Sequence, residues 1–189
     1  MTEPVQLVFE THSLTTDNER GIATGWLGGT LSGRGLVLAA ELGARRRDDV
    51  DAVLCSDLAR AVETARVAFG GTHVPVVLDW RLREVSYGEL NGSRVELIEP
   101  ERSHRVDTPF PAGESYREVT ARVSEVLEDV RSERGGQRVL VIGHTATRWA
   151  LDHLLDGRLL EDVVARPFDW REGWEYNVEA HGVAAGRPE

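Results

Sequence analysis

Two histidines stand where apolar runs stop abruptly. Val5-Gln-Leu-Val-Phe9 leads through Glu10 and Thr11 to His12, and Val139-Leu-Val-Ile-Gly143 ends on His144. Each run reads as a buried strand with an imidazole at its C-terminal tip. An imidazole so placed can act as a nucleophile, a general acid or base, or a ligand. Between them in the chain lie Arg60, a planar cation suited to oxyanions, and Glu84, a proton carrier. Each also has a plain structural reading. A histidine after a strand is often a satisfied core residue. Arg60 can pair along its helix with Asp57 or Glu63, and Glu84 can be a solvated loop acid.

In an open α/β sheet the C-terminal ends of the strands form the ligand edge, so these two strands are expected to bring His12 and His144 together there. The first strand is Val5 to Phe9. A long Gly-, Thr- and Ser-rich loop, Glu10 to Gly35, follows with at most a short helical turn. A helix from about Gly33 to Arg46 carries Leu36, Ala39, Ala40 and Leu42 on one face. Asp51 to Cys55 is the second strand. The next helix starts near Ser56, with Asp57 as cap or first-turn acid, and runs to Phe69. Val74 to Leu78 is a third strand, and Leu82 to Gly92 is irregular. Ser93 to Gly113, with Pro100, Pro109 and Pro111, reads as a short helix and then a loop. Glu114 to Arg134 is an amphipathic helix, Arg138 to Gly143 the fourth strand, and Thr145 to Leu155 a helix. Trp174 to Val178 is a last edge strand before a frayed tail. Strands alternating with helices give an α/β class, a three-layer α/β/α sandwich with a mainly parallel sheet. Without a repeat or linker, residues 1–189 are expected to form one domain.

The formal charge is −10 and all 22 basic residues are arginine. Such a surface disfavours nucleic acid and anionic membrane as partners, but leaves room for a small anion in one local cationic pocket. A single cysteine, Cys55, excludes an intramolecular disulfide and a cysteine-based zinc site, and its apolar setting marks it as a small buried hydrophobe. Met-Thr-Glu-Pro at the start lacks a basic n-region, and no apolar run approaches the roughly 18 residues of a membrane span. A cytoplasmic location is expected. Oligomeric state is not readable.

Four segments fit one scheme. They are His12 with Asn18 and Thr24-Gly25-Trp26; Cys55-Ser-Asp-Leu-Ala-Arg60-Ala-Val-Glu-Thr-Ala65; Leu82-Arg-Glu84-Val-Ser-Tyr-Gly88 with Asn91-Gly92; and Val141-Ile-Gly-His144. Pro111-Ala-Gly-Glu-Ser115 before a long helix adds a fifth point. In this order and spacing, over residues 5 to 155, the chain resembles the histidine phosphatase superfamily, the phosphoglycerate mutase-like proteins. The resemblance implies a phosphohistidine on His12, with Arg60, His144 and Asn18 around the phosphoryl group. Glu84 would protonate the leaving oxygen and then activate water. It implies no metal and no other cofactor, and a small phosphorylated metabolite or inorganic phosphate as ligand. Arg60, His144 and Glu84 are then expected around His12.

The pattern departs from the family at the first strand, where Thr11-His12-Ser13 replaces Arg-His-Gly. Thr11 keeps a hydroxyl donor but no charge. Loss of one such donor typically costs about 3–4 kcal/mol of transition-state stabilisation. Arg20, Arg83 and Arg148 are candidates to replace it. Thr145 stands where the family has glycine, and its hydroxyl is a further donor. Three functions remain open: a phosphohydrolase, a phosphoglycerate mutase-like transferase, and a degenerate non-catalytic phosphate-binding protein. The short stretch between Glu84 and the late helix favours the first. Specificity is expected in Ser93 to Gly113, in the Arg20–Thr30 loop and near Trp26.

Overall fold

Alternate residues of the central strands pack into two separate cores, as the period of two requires. Leu7, Phe9, Val139 and Val141 face one; Val8, Val53, Cys55, Leu140 and Ile142 face the other. The computed structural model describes residues 3–179, and the tail expected to fray lies outside them. In chain order the elements are β1 (Val5–Thr11), α1 (Thr16–Glu19), β2 (Ile22–Ala23), α2 (Gly33–Arg46), β3 (Ala52–Ser56), α3 (Ala59–Phe69) and β4 (Val76–Asp79). Then come β5 (Ser93–Arg94), α4 (Val95–Ile98), α5 (Tyr116–Glu133), β6 (Arg138–Gly143), α6 (Thr145–Asp156), α7 (Leu160–Ala165) and β7 (Trp174–Val178). The main sheet has the order β4-β3-β6-β1-β7, and only β7 is antiparallel. Helices α2 and α3 cover one face, while α5, α6 and α7 cover the other. This is the expected mainly parallel sandwich. No helix among the described residues is long and apolar enough to cross a membrane.

Local chemistry sets the boundaries. Ser115 caps α5 in a capping box with Glu118, and Tyr116, Val119, Val123, Val126, Leu127 and Val130 form its buried stripe. On α2 the buried face is Gly35, Ala39, Leu42 and Gly43, whereas Leu36 is exposed. Gly43 has a steric reason, since a side chain there would strike the Ala68 carbonyl of α3.

Three parts of the sequence reading change. The Glu10–Gly35 loop is partly ordered, because α1 has a Thr15–Asn18 capping box and β2 pairs with β5. Helix α3 begins at Ala59 rather than near Ser56. Leu58 is its N-cap, and Asp57 is drawn away by Arg83 at 2.7 and 2.6 Å. The third strand is shifted to Val76–Asp79 and lies at the sheet edge, with Val76, Val77 and Leu78 exposed.

Candidate active site

Strands β1 and β6 are parallel neighbours, with Thr11 opposite Gly143, so the residues that follow leave the sheet side by side. The His12 N–H donates to Gly143 O at 2.9 Å, and the imidazole centroids of His12 and His144 are 5.0 Å apart. Ser56 ends β3 on the far flank of β6 and places its Oγ 2.8 Å from His144 Nε2. Arg60, in the first turn of α3 and only 3% exposed, joins the two rings. Its Nε lies 3.2 Å from His12 Nε2, and its Nη2 lies 3.3 Å from His144 Nδ1. Its other donors reach the carbonyls of Gly25 at 2.8 Å and Leu27 at 3.3 Å. The Thr24-Gly25-Trp26 stretch therefore closes over the guanidinium.

A guanidinium only donates, so it fixes both tautomers. His12 Nε2 and His144 Nδ1 must accept. The ring protons then sit on His12 Nδ1, 2.7 Å from Ser13 O, and on His144 Nε2 facing Ser56. Burial, and after it the adjacent Arg60 charge, pushes His12 from its ordinary 6.5 to about 3. The same two causes hold His144 well below 6.5. Both imidazoles are neutral at physiological pH, each with a lone pair turned toward Arg60.

Glu84 comes from the irregular segment after β4. Its Oε1 accepts from Val85 N–H at 2.9 Å and from Ala146 N–H at 3.1 Å, at the start of α6 two residues beyond His144. A carboxylate is favoured at a helix N-terminus. The other oxygen, Oε2, makes no hydrogen bond among the described residues. Trp26 Nε1 donates to the Glu84 carbonyl at 2.6 Å, and Arg83 stacks over the Trp26 ring at 4.8 Å.

Thr11 and Asn18 take a different place from Arg60. They border a cleft of about 440 Å³ on the flank of His12, together with Ser13, Thr145, Arg34, Arg45 and Trp170. Asn18 Oδ1 is used by α1, accepting from Thr15 N–H at 3.1 Å and its hydroxyl at 2.8 Å, which leaves the amide NH₂ for a ligand. The arginines expected to replace the missing cation are elsewhere engaged or exposed. Arg83 pairs with Asp57, Arg148 with buried Asp152, and Arg20 caps α1 in solvent. The cleft instead holds Arg34, which makes no ion pair among the described residues, and Arg45, which pairs with Glu10 and Glu172. Sequence reasoning missed Arg34, Arg45, Trp170 and Ser56. No motif marks the first three. Ser56 reads from sequence only as the start of a helix, not as a partner of His144.

Cys55 is fully buried, and burial pushes its thiol up to about 12, so it is no nucleophile. Among the described residues no group of three or more His, Cys, Asp or Glu side chains is arranged to hold a metal.

A parallel-sheet edge with two histidines bridged by a buried arginine, and a glutamate on the following helix N-terminus, defines a class. Residues 7–169 match the model of the histidine phosphatase superfamily (branch 1), and the chain belongs to that family. Among curated relatives it is 34% identical over 168 residues to "Putative phosphoserine phosphatase 2" of Hydrogenobacter thermophilus, covering 84% of this chain and 82% of the relative. It is 28% identical over 149 residues to "Probable phosphoglycerate mutase GpmB" of Escherichia coli K12, covering 74% and 69%. Among solved structures, Bacillus stearothermophilus YhfR shares the fold at a TM-score of 0.78 and 24% identity, over 89% of this chain and 88% of that one.

Proposed function

We propose that the protein is a phosphohydrolase for a small phosphorylated metabolite, with His12 as nucleophile and Glu84 as proton carrier. The observation that carries this reading is the state of His12. Its Nδ1 proton is held by Ser13 O, and its Nε2 carries no proton of its own and accepts from Arg60 Nε–H. A half-buried base held well below its ordinary 6.5, at about 3, stays unprotonated and nucleophilic at any physiological pH.

In the first step His12 Nε2 bonds to phosphorus, the bond from phosphorus to the leaving oxygen breaks, and Glu84 Oε2 gives that oxygen its proton. In the second, Glu84 takes a proton from water, the water oxygen bonds to phosphorus, and the bond to Nε2 breaks. Arg60 supplies the fixed cation for the equatorial oxygens. His144 gains a donor when the arriving dianion raises its pKa and Nδ1 takes a proton. Asn18 through its NH₂ and Thr11 through its hydroxyl are assigned to the same phosphoryl group.

The names of the relatives both describe phosphomonoesters that carry a carboxylate, and exposed Arg34, which lines the same cleft as His12, has no carboxylate partner among the described residues. Phosphoserine and phosphoglycerate are therefore the first substrates to test. The reading places the protein in the cytoplasm, with neither nucleic acid nor membrane as partner. A second reading, a mutase-like transferase, is favoured by the closure of Gly25 and Leu27 over Arg60, which helps to exclude water.

The test is rapid quench with ³²P-labelled substrate, in EDTA, beside His12→Ala. The expected result is an acid-labile, alkali-stable phosphoenzyme that His12→Ala abolishes, with phosphate released. Turnover that survives His12→Ala, or that EDTA removes, overturns the mechanism. Positional exchange without release selects the mutase, and binding of phosphate without turnover selects a non-catalytic protein.

A further inference from the structure

Glu84 sits in a stretch that forms no strand, yet four successive carbonyls there are answered by side chains. Thr147 Oγ1 of α6 donates to Leu82 O at 2.9 Å. The other three belong to Arg122, on α5. Its Nη1 donates to Arg81 O at 2.6 Å and Arg83 O at 2.8 Å, and its Nη2 to Glu84 O at 3.1 Å. The remaining edge of the guanidinium grips Glu114, with Nε at 3.0 Å from Oε1 and Nη2 at 3.1 Å from Oε2. Glu114 in turn holds the far end of the same segment: its Oε2 accepts from Ser86 N–H at 2.9 Å, and its N–H donates to Ser86 O at 2.9 Å. Arg122 is 5% exposed.

We propose that Arg122, locked by Glu114, is a positioning residue that sets where the Glu84 carboxyl meets the leaving oxygen. The inference rests on reading Glu84 as the proton donor. Only a planar fork can reach backbone carbonyls on both sides of Glu84's own Cα while a second edge is pinned; a lysine ammonium cannot span them. The grip acts before and at residue 84, and Glu114 acts after it, at residue 86. The side chain of Glu84 is left to its two backbone N–H partners, with Oε2 free. A buried arginine used only for stability would not need to concentrate on the one loop that carries the acid.

The two roles separate by leaving group. A displaced proton donor matters little for p-nitrophenolate, which departs without help, and matters greatly for an alkoxide. General acid catalysis is worth about 10²–10⁴-fold. The experiment measures kcat/KM of the wild type, Arg122→Met, Arg122→Lys and Glu84→Gln on p-nitrophenyl phosphate, phenyl phosphate and an alkyl phosphate. Melting temperature is recorded for each. Glu84→Gln is expected to lose at least about 10²-fold on the alkyl ester and far less on p-nitrophenyl phosphate. Arg122→Met is expected to reproduce that skew. Arg122→Lys, which keeps the charge beside Glu114 and therefore the fold, is expected to show it in reduced form. An equal loss on all three esters in both Arg122 variants, while Glu84→Gln stays skewed, overturns the proposal. A Glu84→Gln variant without skew overturns the underlying reading of Glu84 instead.

Discussion

Thr11→Arg is the substitution that tests the site's charge directly. Thr11 ends β1 opposite Gly143, one residue before His12, and borders the cleft on that histidine's flank. A new guanidinium there has one obvious competitor for it, the carboxylate of Glu10. That carboxylate is 2% exposed and already held by Arg46 at 3.0 Å and Arg45 at 3.5 Å. It lines the same cleft as Thr11, but each of its two oxygens already has a cationic partner. The new cation is therefore free to face a phosphoryl group on His12. One preorganised donor at developing charge is worth about 2.7–4 kcal/mol, or roughly 10²–10³ in rate. The scaffold was not shaped around this arginine, so the lower end is expected, a gain of about 10² in kcat/KM.

The assay is p-nitrophenyl phosphate hydrolysis and vanadate inhibition for Thr11→Arg, Thr11→Lys and Thr11→Val. Lysine, a point charge without the fork, should recover only part of the gain. Valine, which removes the hydroxyl, should lose activity. An unchanged or lower kcat/KM in Thr11→Arg, with melting temperature and His12 dependence intact, refutes the reasoning. It would mean that the phosphoryl group does not lie against the end of β1.

Three further outcomes are expected. Arg60→Lys keeps a charge but loses the span from His12 to His144 and to the Gly25 and Leu27 carbonyls, so kcat/KM should fall about 10²–10³-fold with little change in the far-UV spectrum. Ser56→Ala removes the acceptor that fixes the His144 proton on Nε2; a cost of about 1–3 kcal/mol in unfolding free energy by urea is expected, and no change would show that the bond is weak. His12 and His144 should stay neutral between about pH 5 and 8 by NMR, and vanadate should move both upward; a titration near 6.5 in the free protein contradicts the assigned burial. The sign also appears in stability. His12 is lowered in the folded state, so the unfolded chain binds more protons between about pH 3 and 6.5, and stability falls as pH drops through that window.

The strands were legible because both faces of the sheet are buried. Val5–Phe9 and Val139–Gly143 are apolar runs of strand length, and a histidine at the end of each was readable as a position at the ligand edge. Arg60 and Glu84 were legible only through their segments. Nothing in the pattern distinguishes a buried arginine from an exposed one on a short helix. The start of α3 was misread because Asp57 is a good cap in isolation; its competitor, Arg83, lies 26 residues away in sequence, and no local rule sees it. Arg34, Arg45 and Trp170 were invisible for the same reason. They meet only because α2 and the segment before β7 converge on the flank of β1, a tertiary fact without local signature. Helix α7 is a single short turn-and-a-half whose apolar residues, Leu160, Val163 and Val164, were too few to show a period.

The distribution of arginine reconciles a chain of charge −10 with an anionic ligand. Most arginines are spent locally: Arg46 on Glu10 and Asp49, Arg81 on Asp79 and Asp129, Arg105 on Glu101, Arg138 on Asp49 and Glu175. Pairs of this kind contribute little each and leave no net field. Arg60 differs in its partners, which are two neutral imidazoles and two carbonyls, with no carboxylate in contact among the described residues. Its charge is desolvated, and Glu84, Tyr87 and Asp17 act on it only at a distance. A buried cation without a carboxylate in direct contact is costly to hold, and the cost falls when a dianion enters. After burial, that charge is the second reason both histidines are neutral, and hence why one of them has a lone pair to offer. On this view Arg60→Met should stabilise the free protein or leave it unchanged while weakening vanadate binding sharply. A variant that loses both in proportion would show that Arg60 is structural.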